Sequence, residues 1–374
     1  MNRLEELIHK YCPNGVEYQP LEKCCKILDN KRKPVAKAAR EFGEYPYYGA
    51  NGIQDYVSDY IFDGVFVLVG EDGSVVTYSG NPVVNWVKGK IWVNNHAHII
   101  EEKDGVLLRY LYHYLQTVNV SALIHGNIPK LTGGDFRAIK IPIPSPPVQE
   151  EIVRILDNFT ELTAELTAEL TARKKQYEYY RDTLLANDDT EVKSVTLDQI
   201  SVNCDRQRKP VTKGNRVSGK YPYYGASGIV DYVEDYIFDG DYLLVSEDGA
   251  NLLARNTPIA FSISGKNWVN NHAHVLKFDT YELRRYVEIY LNSIDLNKYI
   301  SGGAQPKLNQ DNLNKIPIPI PRPERVKYVV TILDRFDTLC NDISKGLPAE
   351  IEARKKQYEY YRDKLLIFKK VSKC

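Results

Sequence analysis

The chain has 374 residues, which is too long for one ordinary hydrophobic core and favours two or more domains. Lys plus Arg equals Asp plus Glu, 49 against 49, so a nucleic-acid surface would have to come from local clusters of basic residues. We find no apolar run of membrane-spanning length, no signal-peptide pattern and no paired metal spacing among the six cysteines, so we expect a cytoplasmic protein with free thiols.

A long internal repeat dominates the sequence. Residues 45–64 read YPYYGANGIQDYVSDYIFDG, and residues 221–240 read YPYYGASGIVDYVEDYIFDG, 176 positions later. The segments RKPV, EDG and WVNNHAH recur at the same offset, and ARKKQYEYYRD recurs at an offset of 181. A period this long lies outside the range of solenoid repeats, so we interpret it as a duplicated domain with its connector.

Each copy begins with a globular part, over residues 1–147 and 188–323. Short alternating runs rich in Tyr, Val and Ile predict strands joined by turns, with helices at 107–116 and 283–292. The runs IPIPSPP and IPIPIPRP then end the strand pattern, because proline continues neither a helix nor a central strand. We therefore predict an α/β (α+β) fold with two similar globular domains.

Helical spacers follow each globular part, at 148–187 and 324–370. Apolar residues at three- and four-residue steps predict one stripe along each helix, and Ile343 continues the second stripe. The segment SKGLPAE, with Gly346 and Pro348, should interrupt the second helix. We expect the helices to pair as an antiparallel coiled coil with pseudo-two-fold symmetry; the alternative is that each helix packs on its own domain. The stripe residues proposed for pairing or partner docking are Leu162, Leu166, Leu170, Tyr177, Tyr180, Leu333, Phe336, Tyr358 and Tyr361.

The usual catalytic motifs are missing from the sequence. It has no phosphate-binding loop, no dinucleotide fingerprint, no nucleophile elbow and no Asn-Pro-Pro-aromatic tetrapeptide, so we predict no catalytic residues and no cofactor in this chain. The repeated NNHAH at 94–98 and 270–274 could ligate a metal through two histidines, but nothing else completes a ligand set. We favour a structural interpretation, in which one histidine faces the core and bonds to the backbone while the asparagines make turn contacts.

Basic residues cluster in the same loop of both copies, where they can neutralise phosphates while neighbouring polar side chains reach base edges. The alternative is an ordinary solvated loop, but repetition of the cluster favours DNA binding. The loop residues are Lys31, Arg32, Lys33, Lys37 and Arg40, and Arg206, Arg208, Lys209, Lys213 and Arg216. The further candidates for DNA contact are Tyr47, Asn51, Lys130, Tyr223, Ser227, Gln305 and Lys307.

The order of these segments resembles a known family. IPIPSPPVQEEIVRILDNF, a helix ending in ARKKQYEYYRDTLL, a second domain and a second such helix are similar to the specificity subunit of type I restriction-modification systems. The resemblance implies two target recognition domains that read a bipartite double-stranded DNA target, and helices that set the gap between its halves. It also implies methyltransferase subunits that use S-adenosylmethionine, and restriction subunits that use ATP and magnesium, as partners.

Two other interpretations stay open at this point. The chain could be the specificity module of a fused or type II-like restriction system, or a structural adaptor that does not bind DNA. Within the family interpretation, the likeness of the two domains predicts related half-sites in inverted orientation. Differences in base readout are expected at 74–88 against 250–264, at Asn51 against Ser227 and at Ile128 against Gln305.

The first spacer contains the tetrapeptide TAEL in tandem at 163–170. Removal of one TAEL shortens a helix by about 6 Å and rotates it by about 40°. We expect this deletion to change the gap between the half-sites by one or two base pairs and to leave both halves unchanged. Mapping of methylated adenines checks this, and a deletion variant with an unaltered gap would contradict it.

Overall fold

The computed structural model describes residues 3–73, 75–186, 192–302 and 305–371, so Ser74, Asn187 and the Cys374 thiol lie outside the described residues. The chain divides into two compact units. Unit 1 comprises Met1–Thr167 and Glu350–Cys374, and unit 2 comprises Ala168–Ala349. Each unit therefore contains one predicted globular domain together with parts of both helical spacers.

The globular part of unit 1 alternates short strands with short helices. Its elements are α1 (Arg3–Tyr11), β1 (Glu17–Pro20), α2 (Leu21–Cys24), β2 (Lys26–Ile27), β3 (Phe42–Gly49), β4 (Gly52–Val57), β5 (Phe62–Gly70), β6 (Val84–Val93), β7 (Ala97–Glu101), α3 (Leu108–Leu115), β8 (Ile124–His125), β9 (Lys130–Leu131), α4 (Gly133–Ala138) and β10 (Lys140–Ile143). The helix α5 (Pro146–Leu185) follows directly.

Unit 2 repeats this order with small differences. Its elements are β11 (Lys193–Val195), α6 (Leu197–Ile200), β12 (Val202–Asn203), β13 (Ser218–Gly225), β14 (Gly228–Val233), β15 (Phe238–Asp239), β16 (Tyr242–Ser246), α7 (Asn251–Ala254), β17 (Ala260–Ile263), β18 (Lys266–Val269), β19 (Ala273–Lys277), α8 (Tyr281–Ser293), α9 (Gln310–Asn314), β20 (Ile318–Ile320) and α10 (Pro323–Asn341), and the helix α11 (Leu347–Leu365) follows. The helices predicted at 107–116 and 283–292 are confirmed as α3 and α8.

The main sheet of unit 1 has six strands in the order β2-β7-β5-β6-β3-β4. Only the β3 and β6 pair is parallel; the other neighbours are antiparallel. In unit 2 the counterpart of β6 is divided into β17 and β18, which belong to two four-stranded sheets. Gly89 and Gly265 occupy the matching position with φ of +92° and +73°, so the backbone turns at the same place in both copies.

The beginning of each long helix belongs to the core of its own unit. Val148, Ile152 and Leu156 of α5 are buried in the unit 1 core, which also contains Tyr110 of α3. In unit 2, α10 buries Val326, Val329, Val330 and Leu333. The interpretation that each helix packs on its own domain is therefore correct for the first turns of both helices, whose apolar side chains complete a domain core.

Farther along, the two helical spacers contact each other. In unit 1, Phe159 of α5 stacks on Tyr361 of α11 with ring centroids 5.3 Å apart. In unit 2, Tyr180 of α5 stacks on Phe336 of α10 at 5.5 Å. Within unit 2, Tyr180 contacts Phe336 while the charge of Lys174 acts on Cys340, so position along α5 falls as position along α10 rises and the pairing is antiparallel, as predicted. Leu162, Leu166 and Leu170 of α5 are only half-buried.

The predicted interruption of the second spacer is confirmed. Helix α10 ends at Asn341 and α11 begins at Leu347. A Cβ atom on Gly346 would lie 2.5 Å from the Thr338 carbonyl oxygen, which explains the glycine at this close approach. Ile343, predicted to continue the apolar stripe, is 85% exposed because it lies in this interruption; that prediction was wrong. Among the described residues, no helix combines the length and the apolarity needed to cross a membrane.

Leu333 tests the contribution of α10 to the core of unit 2. Its side chain is fully buried, so Leu333→Ala should lower the free energy of unfolding by about 2–5 kcal/mol through lost contacts and a residual cavity. Ile343→Ala is the matched control and should change it by less than about 0.5 kcal/mol, because Ile343 is exposed. Urea denaturation measures both, and equal effects of the two substitutions would contradict the core position of Leu333.

Candidate nucleic-acid interface

A buried ionic network anchors the basic loop of unit 1 to the sheet. Arg32 Nη1 donates to Glu71 Oε2 at 2.6 Å and to the Ala97 carbonyl oxygen at 2.7 Å. Asp29 accepts from His98 Nδ1 at 2.7 Å and from the Ile99 amide at 3.0 Å. The loop that follows β2 is therefore tied to β7 and to the residue directly after β5.

Unit 2 contains the same network. Arg208 Nη1 donates to Glu247 Oε2 at 2.6 Å and to the Ala273 carbonyl oxygen at 2.8 Å. His274 Nδ1 donates to Asp205 at 2.6 Å, and the Asp205 carboxylate lies 3.3 Å from the Arg208 guanidinium. The duplication has thus preserved an interaction whose members come from three separate segments of the chain.

The aspartates of these networks are held in the ionised form. Burial opposes ionisation of Asp29, but hydrogen bonds from His98 and the Ile99 amide, with the charge of Arg32, hold the pKa of its carboxyl below the usual value. The pKa of Asp205 is lowered in the same way by His274, the Val275 amide and Arg208, against the same effect of burial.

The three acidic and histidine side chains in each network lie close enough together to suggest a metal site. The arrangement does not fit one. Arg32 already places its positive charge on Glu71, and His98 Nε2 donates to the Leu131 carbonyl oxygen at 3.0 Å. His98 Nδ1 lies 2.7 Å from the Asp29 carboxylate, so both ring nitrogens are already engaged in hydrogen bonds within the protein and neither faces an open ligand position.

The structural interpretation of NNHAH is confirmed. His98 is 1% exposed and bonds to the backbone, and the Asn94 side chain accepts from the His96 amide at 2.8 Å. In unit 2, His274 is equally buried and Asn270 accepts from the His272 amide at 2.8 Å. Asn94 and Asn270 therefore hold the turn before β7 and β19.

The basic loop residues divide into two groups. Arg32, Arg40, Arg208 and Arg216 are used internally: Arg40 donates to Asp55 at 3.1 Å and Arg216 to Asp231 at 3.0 Å. Exposed side chains that project from the anchored loops form the second group, consisting of Lys31, Lys33, Lys37, Arg206, Lys209 and Lys213. The sequence alone did not separate these groups, and only the second presents its charges to solvent.

Tyr47 and Tyr223 require a correction. Each is 1% exposed, so neither ring can contact DNA in this structure. The Tyr47 hydroxyl accepts from the Val35 amide at 3.0 Å, and its ring lies under the Arg40 guanidinium at 4.2 Å. Tyr223 makes the matching contacts with Val211 and Arg216, so both tyrosines support the basic loop from beneath.

Lys130 and Lys307 each contact the glutamate of the ionic network in their own unit. Lys130 Nζ is 3.3 Å from Glu71 and Lys307 Nζ is 3.0 Å from Glu247, and each side chain is about half exposed. Each lysine therefore shares its carboxylate with the loop arginine of its unit. This pairing links the start of β9, and the matching position of unit 2, to the basic loops.

Asn51 lies in a surface hollow of unit 1 that the sequence did not reveal. We call it the hairpin hollow, because the β3–β4 hairpin forms one wall. Its lining includes Ala50, Asn51, Gln54, Asp72, His96 and Ile128. His96 Nδ1 contacts Asp72 within the hollow. The only sequence signal for it was the difference between the copies at Asn51 and Ile128, two positions that the fold brings to one place.

Part of the segments 74–88 and 250–264, which differ between the copies, lies next to the spacer helices. Six residues between Thr77 and Val84 line a hollow of unit 1 together with Glu359 and Arg362 of α11. In unit 2, Leu253 and residues 255–259 line a hollow with Tyr177 and Arg181 of α5. This part of the segment therefore borders the spacers, away from the hairpin hollow.

The chain has two domains that contain the same buried ionic network and are connected by helices. This is the architecture of a duplicated two-domain protein. The family model of the type I restriction modification DNA specificity domain matches the chain twice, at residues 13–173 and 189–353. The chain is 38% identical to a putative type I restriction enzyme specificity subunit of Haemophilus influenzae, over 94% of this chain and 96% of that protein. The chain belongs to the type I restriction-modification specificity family.

Other relatives and solved structures agree with this membership. A type I restriction enzyme specificity subunit of Escherichia coli is 35% identical over 72% of this chain and 73% of its own length. The crystal structure of a type I restriction-modification S subunit from M. genitalium has a TM-score of 0.62 at 16% identity, covering 94% of this chain and 96% of that one. At this identity the structural likeness establishes the fold.

Arg32 and Lys33 are adjacent but belong to different groups, which permits a matched test. Arg32→Ala should lower the free energy of unfolding by about 3 kcal/mol, because it removes the buried cation that faces Asp29 and leaves Glu71 paired with the half-exposed Lys130. Lys33→Ala should change it by less than about 0.5 kcal/mol, because its side chain is exposed. Urea denaturation monitored by tryptophan fluorescence compares them, and a small effect of Arg32→Ala would contradict the anchoring role.

Proposed function

We propose that this chain is the DNA-reading subunit of a type I restriction-modification complex, with each unit reading one half of a bipartite target. The observation that carries the proposal is the same anchored loop in both units, with exposed basic side chains at matching positions. Lys33 corresponds to Lys209, and Lys37 to Lys213. Lysines held on a fixed loop can contact phosphates and set the register from which neighbouring side chains read bases.

The internal arginines have a positioning role in this proposal. Arg32 and Arg40 fix the loop from its two sides through Glu71, β7 and β4, so the lysines between them project from a constrained backbone. A constrained loop loses little conformational entropy when DNA binds. Arg208 and Arg216 do the same in unit 2.

Partner subunits supply the chemistry. We propose that methyltransferase subunits bind along the helical spacers, with S-adenosylmethionine on those subunits and ATP and magnesium on restriction subunits. The repeated ARKKQYEYYRD exposes Tyr179 on α5 and Tyr360 on α11, which are 66% and 60% exposed and suit a protein interface. This chain itself has no catalytic role in the proposal, and the complex acts in the cytoplasm.

One structural neighbour supports an assembly of this kind. A solved structure described as the basis of complex assembly and conformational transition of the type I R-M system has a TM-score of 0.51 at 14% identity, covering 95% of this chain. Its fold is shared with this chain, and the assembly named in its description is the one that we propose here.

Coexpression with the methyltransferase subunit in a methylation-deficient host tests the proposal. Single-molecule sequencing should reveal methylated adenines in a split motif with a fixed gap. A stable complex that produces no motif would contradict DNA reading and favour a structural adaptor.

The exposed lysines give a quantitative test on the purified complex. Lys33→Ala and Lys209→Ala should each reduce the slope of log affinity against log salt by about 0.9, because each removes one phosphate contact. Neither substitution should change the methylated motif, since phosphate contacts carry no direct sequence information. Fluorescence anisotropy at several salt concentrations measures the slope, and an unchanged slope in both variants would contradict the assigned contacts.

A further inference from the structure

We infer that three exposed positions in and around the hairpin hollow select different bases in the two units. The inference rests on the proposed function and deepens it by naming the residues that discriminate. The positions are Asn51, Gln54 and Ile128 in unit 1, and Ser227, Val230 and Gln305 in unit 2.

The backbone hydrogen bonds and the histidine–aspartate contact around these positions are the same in both units. The Glu71 amide donates to the His96 carbonyl oxygen at 2.8 Å, and the Glu247 amide donates to His272 at 2.9 Å. His96 contacts Asp72, and His272 Nδ1 lies 2.9 Å from Asp248. The histidine and the aspartate are therefore constant elements of the surface.

The loop that carries the third position is also held in the same place. The Gly73 amide donates to the Pro129 carbonyl oxygen at 3.0 Å, next to Ile128. In unit 2 the Gly249 amide donates to Pro306 at 3.2 Å, next to Gln305. The two units therefore differ in side chains while their backbones agree.

The two units differ in which position carries an amide side chain and which carries an aliphatic one. In unit 1 the hairpin carries the amide of Gln54 and the facing loop carries Ile128, which is 70% exposed. In unit 2 the hairpin carries Val230, which is 55% exposed, and the loop carries the amide of Gln305. An amide and an aliphatic side chain have thus changed places.

Each of these two kinds of side chain can contact a base edge in the major groove. A Gln or Asn amide can pair with N6 and N7 of adenine, whereas an aliphatic side chain can contact the methyl group of thymine. Asn51, replaced by Ser227 in unit 2, adds a second amide on the hairpin side of unit 1 only. We therefore expect the two half-sites to differ at A·T-containing base pairs that face the hairpin and the loop.

Gln54 is oriented before DNA binds. Asn94 Nδ2 donates to Gln54 Oε1 at 3.2 Å, and Asn94 is itself held by its bond to the His96 amide. An amide oxygen has two lone pairs, so one remains for the N6 amino group of adenine. The hydrogen bond from Asn94 thus leaves Gln54 able to read a base.

In each unit, the backbone of a basic-loop lysine is bonded to the strand that leads to these positions. The Lys33 amide donates to the Val93 carbonyl oxygen at 3.2 Å, one residue before Asn94. The Lys209 amide donates to Val269 at 3.3 Å in the same way. A backbone contact and a base-reading surface are therefore adjacent, as direct readout requires.

The test exchanges the three residues between the units. The variant Asn51→Ser, Gln54→Val, Ile128→Gln is coexpressed with the methyltransferase subunit, and its methylated motif is mapped beside that of the wild type. The half read by unit 1 should change toward the half read by unit 2, while the other half and the gap stay the same. The reciprocal variant Ser227→Asn, Val230→Gln, Gln305→Ile should change only the other half.

Phe42→Ser is the matched control. It also replaces an exposed residue of unit 1 by its counterpart in unit 2, Ser218, but it lies at the other end of β3 from the hollow and is 87% exposed. The control should leave the motif unchanged. Competition binding to duplexes of the old and new motifs should show a shift in preference of about 5- to 150-fold for the exchanged variant.

The outcomes separate the inference from the proposed function. If the wild type gives no split motif, the proposed function fails. If the wild type gives one and both exchanged variants keep it, the inference is overturned. Loss of all methylation by exchanged variants that still assemble with the methyltransferase subunit also counts against it, because exposed selector residues change a motif rather than abolish it.

Discussion

The buried ion pair between the loop arginine and the glutamate that follows β5 is the interaction on which the surface of unit 1 depends. Arg32 and Glu71 are 39 residues apart in sequence and meet at 2.6 Å. Both charges are removed from water, so the pair is tolerated only because Asp29, His98 and a carbonyl oxygen satisfy the remaining polar groups. Its main consequence is geometric, since it fixes a loop that would otherwise be free.

The fixed loop connects the fold to the proposed recognition of DNA. The loop carries exposed lysines, and Glu71 is followed directly by Asp72, which lines the hairpin hollow. One frame therefore places the proposed phosphate contacts and the proposed base-reading positions at a set distance from each other. Duplication of the frame allows the second copy to alter its exposed side chains without disturbing the buried ones.

The sequence predicted those parts of the structure whose cause is local. The spacer helices follow from three- and four-residue apolar steps, and their interruption follows from Gly346 and Pro348. The burial of Tyr47 and the internal role of Arg32 could not be predicted, because their environments come from segments distant in sequence. Ile343 fits the apolar period, but the period cannot show that the helix has already ended.

The hairpin hollow illustrates the same limit at the candidate site. Asn51 and Ile128 stood out as differences between the copies, yet only the fold shows that they share one surface with Gln54. The most direct test of the account is a structure of the chain with its methyltransferase subunits on a duplex that contains the mapped motif. The account predicts lysines of both basic loops on phosphates and the hollow of unit 1 over base edges in the major groove. DNA bound on another face of the recognition domains, with the hollow open to solvent, would contradict it.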